Sequence, residues 1–115
     1  MATRYRWQHD RAVAESFAPP TCGDAEVRVR MLYAALDEQR SDGATAGVAG
    51  VGVVDAAGAA ARQWLGRKVL VGRVSACGEC DRCRRGAASA CPTAVHRGAP
   101  DAGTLADVAY LPARE

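Results

Sequence analysis

The sequence predicts a small, mainly β domain, a curled sheet or partial barrel carrying a metal-held lobe. Three observations lead there. Short stretches of alternating or β-branched residues follow one another between Gly and Pro punctuation. No segment has the periodicity of a long amphipathic helix. Four cysteines, Cys77, Cys80, Cys83 and Cys91, fall in one run with spacing C-x2-C-x2-C-x7-C. Thiolates this close can wrap a single tetrahedral metal ion and leave no open coordination position, which describes a structural site.

The elements follow in order. Tyr5–Gln8 and Ala12–Phe17 flank His9, Asp10 and Arg11 and predict a hairpin, with Pro19 and Pro20 stopping the second strand. Thr21–Asp24 reads as a turn. Val27, Val29 and Met31 then alternate with Arg28 and Arg30, the pattern of a strand buried on one face. Asp37–Gly43 is polar and loop-like. Gly47–Asp55 reads as a glycine-rich strand, where missing side chains suit tight curvature or a close neighbour. Gly58–Ala61 reads as a turn, Lys68–Val71 as a short strand, and Leu105–Leu111 as a last strand closed by Pro112. There is no internal repeat or linker, so residues 1–115 form one domain with a metal lobe over 76–98.

Composition narrows the function classes. The chain is 49% hydrophobic, but it holds one Phe, two Trp and three Tyr among its 115 residues, so its core is built of small side chains. Such a core gains from a metal staple or a partner. The formal charge is +2, and four thiolates with one Zn²⁺ would add −2, leaving no long-range pull toward nucleic acid or membrane. No apolar run reaches the length of a membrane span, and no signal peptide is evident. A cytoplasmic setting is expected, where closely spaced thiols hold metal more often than they form disulfides. Four unrelated thiols, two disulfides or an iron site remain as alternative readings of the run. Cys22 reads as a spare thiol in a turn.

These residues together resemble a known family, the N-terminal GroES-like domain of the medium-chain zinc alcohol dehydrogenases. The run from Cys77 to Pro92 resembles its structural-zinc lobe. Glu26–Ala35 is similar to its early core strand, and Gly47–Asp55 to the segment after its first long loop. Gly66–Val71 resembles its Gly-Asp-Arg-Val strand, and Asp101–Pro112 the strand leaving the lobe. The resemblance implies a GroES-like partial barrel with a protruding four-cysteine zinc lobe, and one structural Zn²⁺ on Cys77, Cys80, Cys83 and Cys91.

The departures bear on activity. The family's catalytic zinc takes a Cys at the position held here by Asp37, and a His from a Gly-His-Glu motif that here reads Gly47-Val48-Ala49. Its proton-relay Thr or Ser falls at Gln39, and the loop before Gly47 is shorter than the family's. A Rossmann domain with its G-x-G-x-x-G turn is missing from this sequence, so no NAD(P) site is expected. The implied function is a truncated, non-oxidoreductase pseudoenzyme that acts as an accessory or complex-forming protein. Its partner is expected to be a separate protein or a second copy, with a small-molecule ligand as a further option.

Two rivals stand beside that reading. A small nicotinamide-independent isomerase, dehydratase or hydrolase could reuse the emptied pocket, with Asp37, Glu38, Arg40, Asp42 and His96 as candidate catalytic groups. Neighbouring carboxylates can raise one another's pKa, and an arginine can clamp an anion. The other rival is one subunit of a split dehydrogenase. Arg73, Arg82, Arg84 and Arg85 read as a solvated face or an acidic-protein docking surface, and the interrupting Glu79 and Asp81 disfavour nucleic acid. His9 and His96 read as surface residues, and Trp7 and Trp64 as core or interface anchors. Loss of one lobe cysteine is expected to cost the metal and most folded structure.

Overall fold

The strand β1 (Ala2–Gln8) turns at His9 and returns as β2 (Arg11–Phe17), pairing from Ala2 with Phe17 to Gln8 with Arg11. His9 adopts a positive φ of 59°, the left-handed conformation that lets so short a turn close. This computed structural model describes residues 1–9, 11–36, 43–96 and 103–112. The hairpin is the one predicted, longer at its start because Ala2 is buried and Thr3 and Arg4 continue the ladder.

A four-stranded antiparallel sheet forms the body. It contains β3 (Glu26–Ala35), β4 (Ala49–Ala57), β5 (Lys68–Val71) and β8 (Val108–Pro112), in the order β5-β4-β3-β8. The predicted alternation places Val27 and Val29 inward, where they meet Val54, Ala61 and Val71 in the buried core. Register slips between Arg28 and Val29, and between Met31 and Tyr33, bend β3 as bulges do. Gly52 lies opposite Met31, and a Cβ there would run into the Val29 side chain and the Arg30 carbonyl. The glycine-rich strand is therefore a close-neighbour strand, as its composition predicts.

Several boundaries differ from the sequence reading, among them β4 ending at Ala57 and not Asp55. β4 starts at Ala49 rather than Gly47, because Gly47 takes φ 97° and its backbone packs against Thr104 and Leu105. Ala59–Trp64 forms a 3₁₀ helix where a turn over Gly58–Ala61 is predicted, since an Ala-rich segment favours helical backbone. The last strand begins at Val108, because Leu105 and Ala106 turn aside to bond the hairpin.

Those bonds close the partial barrel. The Tyr5 N–H donates to the Leu105 carbonyl at 3.1 Å, and the Ala46 N–H to the Tyr5 carbonyl at 2.7 Å. The hairpin is thus held between the segment entering β4 and the one entering β8. Trp7, 8% exposed, lies on this side with buried Ala44, Thr45 and Ala46. At the far end, β6 (Val74–Ser75) pairs with β7 (Val95–His96), and the cysteine lobe projects between them. Among the described residues no helix is long and apolar enough to cross a membrane.

Candidate metal centre

The lobe turns three times around a common point. Cys77 follows β6, and the chain reverses at Gly78, whose φ is 75°. Cys80 caps a single helical turn, α1 (Asp81–Arg84), and Cys83 sits within it. Gly86, at φ 82°, ends that turn, and a short 3₁₀ helix over Ala88–Ala90 delivers Cys91. Both glycines occupy left-handed backbone where a side chain would be strained.

The four Sγ atoms lie within 4.8 Å of one another, and all four cysteines are unbridged. Sulfurs about 2.3 Å from a tetrahedral zinc stand about 3.8 Å apart. The Cys77–Cys83 pair is at 3.8 Å, so the longest edge needs to contract by about 1 Å at most. Backbone donors already aim at the sulfurs. The Cys80 N–H reaches Cys77 Sγ at 3.2 Å, and the Glu79 N–H reaches it at 3.4 Å. The Cys83 N–H reaches Cys80 Sγ, and the Cys77 N–H reaches Cys91 Sγ, both at 3.5 Å. Donors of this kind stabilise thiolates and fix their directions, as outer-shell partners of a metal do.

The acidities follow from these contacts. The N–H groups of Glu79 and Cys80 lower the Cys77 pKa. The Cys77 N–H and the Thr93 hydroxyl draw Cys91 down to about 5. Desolvation among the sulfurs pushes Cys83 up to about 12, so a bound cation displaces its proton. A closed set of four soft sulfurs can hold a metal and supplies no vacant position for substrate.

The arginines around the lobe are largely occupied. Arg82 donates to the Ala90 carbonyl at 3.0 Å, and Arg85 pairs with Asp81 at 3.2 Å. Cys22 stands apart from the cluster, its pKa raised first by burial, which fits an unreactive thiol.

Of the other predicted candidates, only the backbone of His96 falls within the described residues. Asp37, Glu38, Arg40 and Asp42 lie outside the described residues, as does Gln39. The backbone of His96 lies in β7 at the base of the lobe. The Val48 N–H donates to the Ala35 carbonyl at 2.9 Å. The Ala49 carbonyl accepts from the fully buried Thr104 hydroxyl at 2.8 Å. Sequence reasoning missed Thr104 and Thr45, whose hydroxyls tie down the segments entering β4 and β8. Isolated threonines carry no pattern that would single them out.

A profile of the alcohol dehydrogenase GroES-like domain matches residues 23–115. An NAD-dependent alcohol dehydrogenase structure superimposes with a TM-score of 0.77 at 28% identity, covering 97% of this chain and 37% of that one. An alcohol dehydrogenase from Thermus sp. ATN1 gives 0.81 at 22% identity, again over 97% and 37%. A cinnamyl alcohol dehydrogenase from Sorghum bicolor gives 0.75 at 23% identity, over 96% and 38%. The last two likenesses bear on fold alone. The chain spans little more than a third of the length of these structures. No curated protein matches the sequence.

Proposed function

The chain belongs to the alcohol dehydrogenase GroES-like domain family, and on that premise we propose that it is a zinc-stapled, non-oxidoreductase subunit working within a protein complex. The metal on Cys77, Cys80, Cys83 and Cys91 is Zn²⁺, and its role is to hold the lobe. The observation that carries the reading is the Val48–Ala49 pair. It stands where the resembling family places a zinc-binding His and its neighbouring acid. A valine side chain has no donor atom for a metal, and an alanine has none for a proton. The backbone bonds of both residues anchor that segment in the sheet, which fits a position kept for structure.

The setting is cytoplasmic, consistent with a thiolate-held metal. The test is turnover. Zinc-loaded protein is mixed with NAD⁺ or NADP⁺ and a panel of primary, secondary and aromatic alcohols, and reduced nicotinamide is followed at its own absorbance. No turnover is expected from the chain alone. Turnover that disappears on removing one zinc equivalent would overturn the proposal.

A further inference from the structure

Among the described residues the inner face of the four-stranded sheet is not fully covered. A groove of about 380 Å³ crosses it, lined by Val27, Val54, Trp64, Val69, Leu111 and Pro112. Trp64 forms one wall, and its buried Nε1–H has no acceptor among the described residues. A buried donor left unpaired is costly, and in a native protein it calls for an explanation. The β5 edge of the sheet borders this groove and pairs with no other strand among the described residues. Because the Val54 N–H donates to the Arg67 carbonyl at 2.9 Å, alternation turns the backbone groups of Lys68 and Leu70 toward that open edge. The Leu70 side chain is 80% exposed.

Charge says what belongs there. The described rim beside Trp64 has one sign of charge. Arg62, Arg67 and Lys68 are exposed beside Trp64, and none forms an ion pair among the described residues, while the Arg67 guanidinium rests 5.4 Å from the Trp64 ring. A second copy would bring like charges together at this rim.

We propose that the groove and the free β5 edge receive an extended segment of a separate polypeptide, apolar at alternate positions and acidic between them. Its main chain adds a strand beside Lys68–Val71, and its apolar side chains pack against the Trp64 wall of the groove. The inference rests on the complex-forming reading above. A chain that joins its complex through another face would fail here and leave that reading intact.

The test uses dye-labelled nine-residue peptides alternating Val or Leu with Asp or Glu, and matched peptides carrying Lys or Arg. Binding to the zinc-loaded chain is followed by fluorescence anisotropy. The acidic set should bind and the basic set should not. Trp64→Ala, which removes one wall of the groove, should weaken binding about tenfold or more. Leu70→Pro should abolish edge pairing. Arg67→Glu gives an independent reading should the proline variant fail to fold, and it should narrow the preference between the two sets. No binding by the acidic set, equal binding by both sets, or a homodimer in sedimentation equilibrium that Leu70→Pro dissociates would each overturn the proposal.

Discussion

Removing the metal should open the lobe and spare the sheet. Between residues 74 and 94, Cys91 is the only buried side chain among those described, so the lobe has no apolar core of its own. Its base is one two-residue ladder, Val74 with His96 and Ser75 with Val95. Closing a loop of roughly 20 residues costs about 3 kcal/mol in chain entropy. Two ladder pairs return about 1–2 kcal/mol net. The base therefore cannot hold the lobe closed unaided, whereas a structural zinc contributes on the order of 10 kcal/mol in small zinc domains. The body differs, because Val27, Val29, Val54, Ala61 and Val71 bury one another without the lobe. This narrows the expectation from sequence that losing a ligand dissolves most of the structure. Hydrogen exchange read by mass spectrometry, with chelator or with Cys80→Ser, checks it. Amides of residues 76–94 should lose protection while those of β3 and β4 keep theirs. Global unfolding on chelation, or a lobe that stays protected, would refute the reasoning.

Two further expectations concern the hairpin and the sheet. Glu15 accepts from Arg4 at 2.6 Å and from Arg6 at 2.8 Å, and these bonds, that with Arg6 first, lower its pKa from 4.5 to about 2. A carboxylate depressed on folding stabilises fully above its unfolded pKa and loses that contribution as pH falls through the folded one. Melting temperature should therefore fall between pH 4.5 and about 2, and Glu15→Gln should flatten that limb; identical pH profiles for the two proteins would contradict it. Gly52→Ala drives a methyl into Val29 and the Arg30 carbonyl. Overpacking of this kind should lower the melting temperature by roughly 5–15 °C, read by differential scanning calorimetry.

Much of this architecture is legible in the residues. The alternation from Val27 to Met31 places the inward face of β3, and Lys68–Val71 is a strand with the predicted bounds. The lobe is legible because metal chemistry demands both residue type and spacing, and the structure brings all four sulfurs together. What the sequence hides is long-range. Nothing local to Leu105 announces that its carbonyl accepts from Tyr5, about a hundred residues earlier in the chain. At Ala59–Trp64 the Ala-rich run itself carries the helical signal, set against the turn signal of Gly58. The groove is invisible too, because it joins residues of four strands and one 3₁₀ helix whose exposure depends on what else covers the sheet. Trp64 stands out in the sequence, while the burial of its donor, with no acceptor among the described residues, depends on the fold.

Native mass spectrometry of the protein drawn gently from its own cells tests the central claim most directly. The account predicts one zinc per chain and a second, different polypeptide retained with it. Chains without metal, or a zinc-loaded monomer or homodimer with no other protein bound, would contradict it.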